Sequence, residues 1–291
     1  MLLTRRLAVA VVTATLLCTG CATSGPNLAG STSTGSAATP RSPASGSSGG
    51  APASDPSASE IPTVARLPLT GKTVGIDPGH DGGNFTHAAY INTMIWNGRA
   101  EETCDTTGTA TASGYTEAQF NFNVATELRA DLIAAGASVV MTRSSNNGVG
   151  PCVTTRAQMI NRADANVAID IHADGGPDSG RGFTVLEPVA DGPNDRVIGA
   201  SIAFGNDVRV AMLADTKMPE STYYGSSGII KRDDLAGLNL TTVPKILIEC
   251  GNMPNPQDAR ILTSPVFQRL LATALTAAIV AFLTGRPLDK G

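Results

Sequence analysis

The sequence predicts a single α/β domain with a mostly parallel, mixed central sheet sandwiched between helices. Six short runs, 72–77, 138–143, 167–172, 183–187, 228–231 and 245–249, are mostly apolar and often β-branched, as in strands covered on both faces. Segments with apolar residues at three- and four-residue spacing lie between several of them. Such alternation of strand and helix indicates one sheet between two helix layers.

The N-terminal region stands outside that pattern. Arg5 and Arg6 precede an apolar run from Leu7 to Leu17, which meets Thr19, Gly20 and Cys21. A charged start and an apolar segment too short to span a bilayer read as an export signal over residues 1–20. The stretch Leu17-Cys-Thr-Gly-Cys21 resembles a bacterial lipobox, with Cys18 where leucine is usual. Cys21 is then the expected acylated residue, anchoring the protein to the outer face of the cytoplasmic membrane, with simple secretion as the alternative. From Ala22 to Pro62 every residue except Asn27, Leu28, Arg41, Asp55, Glu60 and Ile61 is Gly, Ser, Thr, Pro or Ala. Such a composition buries too little apolar area to offset its ordering entropy. Residues 21–62 therefore read as a disordered tether, spanning about 35 Å as a flexible coil. The net charge is −4, and removal of Arg5 and Arg6 makes it more acidic. Nucleic-acid binding, which shows as a basic patch or high pI, has no support.

The domain itself is expected over 63–286, with a short tail at 287–291. Phe120, Val124, Leu128 and Leu132 mark a helix after Thr116, and Thr116-x-x-Gln119 fits a capping box. A shorter helix is expected over 155–164. Val197, Ala200, Phe204, Val208 and Ala211 mark another helical face. Ser264 and Pro265 open a C-terminal helix as cap and first residue, with Phe267, Leu270, Leu271, Ala274, Leu275 and Phe282 along its apolar face. The stretch 82–114 has no periodicity and reads as a long functional or disordered loop. Cys104 lies within it and Cys152 just before the 155–164 helix. In an exported protein these two are expected to pair, a bridge worth about 4 kcal/mol by loop-closure entropy; free buried thiols are the alternative. Cys250, beside an apolar strand, is expected as an unpaired buried thiol.

The chemistry gathers at strand ends. "GIDPGHDGG" ends the first strand in His80, and "AIDIHAD" ends the third in His172. In open α/β sheets ligands sit outside the carboxyl ends of strands, so the two imidazoles can converge on one metal ion. Glu117, in the first turn of its helix, is a third candidate, although a carboxylate there also suits the helix dipole. Glu249 ends the strand of "KILIECGN", where a glutamate needs a partner. Two histidines and a carboxylate with one open position form the ligand set of a catalytic zinc site. A further glutamate fits the general base that such a site uses. His87 is the competing third ligand, or a plain loop residue.

Four segments, "IDPGHDG", "GYTEAQFNFNVATELRADLIAAGASVVMTR", "NRADANVAIDIHAD" and "VPKILIECGNMPNPQD", together resemble the zinc-dependent N-acetylmuramoyl-L-alanine amidases of bacterial cell-wall turnover. The cysteine pair and Gly-rich turns look most like the mycobacterial branch. The resemblance runs in order from about Lys72 to Phe282. It implies that His80, Glu117 and His172 ligate one Zn²⁺ per chain, that Glu249 is the catalytic carboxylate, and that the substrate is peptidoglycan or its muropeptides. One departure is Asp170, two residues before His172, where the family usually has Ser or another small residue. Strand alternation puts Asp170 on the same face as His172, where it can orient that ligand or alter the charge of the site. In an acidic protein working on peptide stems, Arg232 and Lys231 are candidate cationic contacts, and Asn252 is a further candidate beside the site. Some family members carry an inserted helix that blocks the metal until an activator binds. The stretch between Glu187 and Gly228 shows no spare segment for one, so no activator is expected. Two other readings fit the same residues: a peptidoglycan-binding lipoprotein without turnover, and a zinc peptidase acting within the stem peptide.

Overall fold

The computed structural model describes residues 66–288. The proposed export signal, Cys21 and the Gly/Ser/Pro/Ala-rich segment lie outside the described residues, as do residues 289–291 of the tail. The elements run β1 (Thr73–Pro78), α1 (Ala88–Ile91), β2 (Met94–Trp96), β3 (Glu101–Thr103), α2 (Glu117–Ala134), β4 (Ser138–Met141), α3 (Val153–Arg162) and β5 (Val167–Asp174). They continue with β6 (Thr184–Pro188), α4 (Ile198–Ala211), β7 (Ile229–Arg232), α5 (Ala236–Asn239), β8 (Lys245–Asn252), α6 (Pro256–Leu262) and α7 (Pro265–Thr284).

Six strands form one sheet in the order β4-β1-β5-β8-β6-β7. The first four of these are mutually parallel, β6 runs antiparallel to β8, and β7 is parallel to β6. The sheet is therefore mixed, with the reversal at the β8–β6 edge.

The two faces of this sheet differ in chemistry because side chains alternate along each strand. Val74, Ile76, Ile169, Ile171, Val185, Ile246 and Ile248 are all fully buried. They share one core with Phe120, Val124 and Leu128 of α2, Phe204 and Val208 of α4, and Leu271 and Leu275 of α7. Burial of each such side chain is worth about 1.5–3 kcal/mol, so this face carries most of the hydrophobic stabilisation. On the opposite face the register aligns Asp77 with Asp170 and His172 with Glu249. Apolar cover there is thinner. Ile160 of α3 packs with Ala168 and Val243, and Leu238 of α5 packs with Leu186 and Leu247.

Helix starts follow their caps. Thr116 Oγ1 accepts from the Gln119 amide, and Ser264 Oγ from the Phe267 amide. Only half of the capping box forms, since the Gln119 side chain turns instead to Asn123 and Asn146. Helix α3 starts two residues before its expected position, directly after Cys152.

The stretch 82–114 is not a plain loop. It contains α1 and the antiparallel hairpin β2–β3. These elements are three or four residues long, too short to show a period, and Met94 and Trp96 are exposed. Cys104 and Cys152 are joined by a disulfide, and the Cys104 carbonyl accepts from the Val153 amide. The hairpin segment is thus tied to the start of α3. Cys250 is free and fully buried, and burial pushes its thiol pKa up.

Candidate active site

His80 follows the carboxyl end of β1 and His172 lies near the carboxyl end of β5, one strand away. Glu117 is the first residue of α2, whose N-terminus points to the same end of the sheet. Its carboxylate Oε1 lies 2.8 Å from His172 Nδ1 and 3.2 Å from His80 Nε2. The two imidazoles stand nearly perpendicular, at 87°, with centroids 4.8 Å apart.

The backbone is shaped to allow this convergence. Gly79 leaves room for the His172 ring, which a Cβ at that position would overlap. Gly108, at φ +70°, lets the 106–109 segment pass close to His80 and Glu117. His80 itself adopts φ 59°, a left-handed conformation that is strained for a residue with a Cβ and clusters at functional sites.

Each histidine is also held from behind. His80 Nδ1 lies 3.2 Å from the Thr106 carbonyl and 3.4 Å from Asp105 Oδ1. His172 Nε2 lies 3.2 Å from Asp170 Oδ1. With a cation between them, protons on these outer nitrogens would leave Nε2 of His80 and Nδ1 of His172 as lone-pair donors, both facing a carboxylate. Three electron-pair donors facing one another require a positive charge between them, either protons or a cation. The donor atoms lie within 4.8 Å of one another, the sole such group of three or more metal-binding side chains found among the described residues. The donor set therefore fits a small divalent metal with N and O preference.

The electrostatics express the same demand. Burial works against charge on His80, but Glu117 and Asp105 outweigh it and raise the pKa to about 9. Burial opposes charge on His172 too, and Asp170 with Glu117 raises its pKa well above the usual value. Burial favours a neutral Glu117, yet the two histidines hold its pKa well below the ordinary carboxylate range. Two backbone amides, of Thr109 and Ala173, also donate to its carboxylate.

Glu249 stands beside His172 in the register of β5 and β8. Its Oε2 is buried with no hydrogen-bond partner. Burial pushes its pKa up to about 8, against the pull of His172. A groove of about 330 Å³ runs from His80, Glu117, His172 and Glu249 across Leu247 and Leu186 to Arg232.

The remaining candidates separate clearly. Arg232 lines the groove, its guanidinium held by Asp234 and by the Tyr224 hydroxyl. Lys231 does not line it. As the residue before Arg232 on β7 it belongs to the opposite face, paired in register with Glu187. Asn252 is fully buried and acts structurally. Its amide donates to the Pro177 and Gly180 carbonyls and its Oδ1 accepts from Gly176, so it shapes the turn after β5. His87 turns its ring to Gly83 and Thr86, outside the cluster.

Sequence reasoning missed Asp105, Arg156 and Lys245. Lys245 and Arg156 are both fully buried charges. The signal for Lys245 was a lysine opening an apolar strand, in phase with Glu249. Asp105 gave no signal, because it sits in an aperiodic segment.

Comparison with known proteins gives the family. The family model described as N-acetylmuramoyl-L-alanine amidase matches residues 74–281. The chain is 40% identical over 216 residues to N-acetylmuramoyl-L-alanine amidase Rv3717 of Mycobacterium tuberculosis, covering 74% of this chain and 88% of that protein. The crystal structure of the N-acetylmuramyl-L-alanine amidase Ami1 from Mycobacterium smegmatis is similar with a TM-score of 0.71 at 39% identity, over 75% of this chain and 99% of that one. Ami1 from Mycobacterium abscessus gives 0.70 at 39% identity, over 74% and 100%. With the fold, the strand-end histidines and the glutamates in place, the chain belongs to the N-acetylmuramoyl-L-alanine amidase family.

Proposed function

We propose that this chain hydrolyses the amide between the lactyl group of N-acetylmuramic acid and the L-alanine of the peptide stem, in a zinc-dependent reaction. The observation that carries the proposal is the convergence of Glu117 Oε1 on His80 Nε2 and His172 Nδ1, beside a buried and unpartnered Glu249 oxygen. His80, Glu117 and His172 would hold the metal. Zinc, when bound, supplies a Lewis acid for the amide carbonyl and makes water acidic enough to attack near neutral pH.

The protein's own residues do the rest. Glu249 takes the proton from the attacking water and returns it to the leaving amine, a role worth about 10²–10⁴-fold. Its raised pKa of about 8 gives a carboxylate basic enough for that task, and a nearby cation shifts it back towards the ionised form. Leu186 and Leu247 form an apolar floor for the peptide, and Arg232 offers a guanidinium to a stem carboxylate further along the groove.

The sequence features of residues 1–62 support an extracytoplasmic enzyme, acylated at Cys21 and so held to the membrane. Its partners would then be peptidoglycan and the membrane.

Product analysis on defined muropeptides tests the reading. Release of intact stem peptides with a free L-alanine amino group, abolished by chelation and restored by zinc, is the expected result. Cleavage inside the stem would make the chain a peptidase, and binding without products would make it a silent receptor.

A further inference from the structure

Behind the two histidines lies a line of buried charges that the proposed reaction does not use directly. Asp105, whose Oδ1 faces His80, places Oδ2 3.1 Å from Arg156 Nη2. Arg156 Nη1 lies 3.2 Å from Asp77 Oδ1. Asp77 Oδ2 lies 2.8 Å from Lys245 Nζ, which is 3.4 Å from Asp170 Oδ2. Asp170 Oδ1 then faces His172. The sequence His80–Asp105–Arg156–Asp77–Lys245–Asp170–His172 is thus continuous, with alternating sign through its five charged members. Arg156, Asp77 and Lys245 are each 2% exposed.

Burying five charges is expensive, and well-packed apolar residues would often serve stability as well or better. A structural role alone therefore explains the line poorly. Its two ends supply a better account. Each terminates in a carboxylate oxygen beside the outer nitrogen of one imidazole, 3.4 Å away at His80 and 3.2 Å at His172, where Asp170 Oδ1 is buried without a hydrogen bond; carboxylates so placed can fix the tautomer and orientation of metal-binding histidines. Carboxylates unbalanced by cations would put two further negative charges behind the site. Arg156 and Lys245 offset them, and Asp77 joins the two cations while touching neither histidine. Thr142 also donates to Asp77 Oδ1, and the Pro78 and His80 carbonyls accept from Arg156. The line is thereby fixed to the backbone that presents His80.

We infer that Asp105 and Asp170 are positioning residues that orient His80 and His172 for metal, and that Arg156, Asp77 and Lys245 act as one shared counter-charge for both. The inference rests on the zinc reading above. Lys245 on the neighbouring strand makes an aspartate tolerable at position 170. The shared counter-charge also makes the two ligands a coupled unit rather than two independent ones.

The test uses the full chain, stripped with a chelator and titrated with zinc against a chromogenic chelator. Asp170→Asn retains an oxygen beside Nε2 that can accept its proton, whereas Asp170→Ala removes it. Zinc affinity should fall from wild type to Asn to Ala, with Ala weaker by about 10–100-fold. Nitrogen NMR of zinc-loaded wild type should show His172 metal-bound at Nδ1 and protonated at Nε2, and the Ala variant should lose that single pattern. A merely structural role predicts equal losses of melting temperature with and without zinc; the inference requires the zinc-induced rise to shrink. If Asp170→Ala does not fold, Asp105→Asn and Asp105→Ala repeat the test at His80, from a loop instead of a strand. Variants that bind zinc as the wild type does would overturn the inference and leave the zinc reading intact. A wild-type chain that binds no zinc would overturn both.

Discussion

Gly79 lies so close to His172 that a Cβ added to it would sit 2.1 Å from the imidazole Cε1. The absence of a side chain at position 79 is thus part of how His172 is aimed. Gly79→Ala leaves the backbone free of strain, because φ there is not positive, yet it must displace the ring. Zinc binding should weaken, and turnover should fall by about 100-fold or more, the cost of misplacing a catalytic group by about 1 Å. Near-normal turnover, with an unchanged circular dichroism spectrum, would show that the ring has another seat.

Glu117 and Glu249 should separate in their variants. Glu117→Ala is expected to lose zinc and activity together. Glu249→Gln should keep zinc and most stability, since Gln is nearly isosteric but cannot take up a proton. Its turnover should fall at least about 100-fold. Measured zinc content, melting temperature and turnover distinguish the two, and a fast Glu249→Gln enzyme would remove Glu249 from the mechanism.

Proton and metal should compete for the same atoms. Both histidines have folded-state pKa values above the ordinary 6.5, about 9 for His80 and well above 6.5 for His172. A group with a raised folded pKa stabilises the fold fully below its unfolded value and loses that contribution as pH rises through the folded one. Chelator-stripped protein should therefore melt at progressively lower temperature from about pH 6.5 to pH 9. Zinc-loaded protein should not show that slope, and zinc affinity should rise with pH over the same window. Melting curves of stripped protein that coincide from pH 6.5 to 9 would contradict the charge assignment.

Arg156→Ala should be strongly destabilising, because it strands Asp77 and Asp105 in the interior. The expected loss is about 3–5 kcal/mol, measured by urea unfolding of the zinc-loaded chain. A loss below 1 kcal/mol would mean that water reaches these carboxylates.

At the N-terminus, Cys21→Ala should move the protein from the membrane fraction to the soluble extracytoplasmic fraction. Unchanged fractionation would argue against acylation at this residue.

Much of this architecture was legible from residue patterns. All six strands of the main sheet lie where β-branched apolar runs occur, because burial on both faces leaves that mark directly in composition. The strand-end histidines were visible because each interrupts an apolar run just where a sheet delivers ligands. Other features left weaker traces. The β2–β3 hairpin has three-residue strands and an exposed Met94 and Trp96, so neither period nor hydrophobicity announces it. Lys231 and Arg232 are adjacent in sequence, and only the register of β6 and β7 tells which one faces the groove. Asn252 carries a polar side chain beside the site for a purely local reason, the turn at Pro177–Gly180. The buried charge line needed three-dimensional pairing to appear, since its members come from β1, the segment after β3, α3, β5 and β8.

The division of the sheet into two faces has a consequence for how this chain can be altered. Positions such as Ile76, Ile171 and Ile248 answer to volume and shape, whereas Asp77, His172 and Glu249 answer to charge and proton chemistry. Repacking libraries confined to the first set, with total volume held constant, usually cost little. Such libraries should yield enzymes whose heat resistance varies while their rate stays fixed. Libraries confined to groove-facing residues such as Leu186, Leu247 and Arg232 should do the reverse, changing substrate preference on an unchanged scaffold. Durability and selectivity can then be evolved in separate rounds and combined by simple recombination of the winning segments.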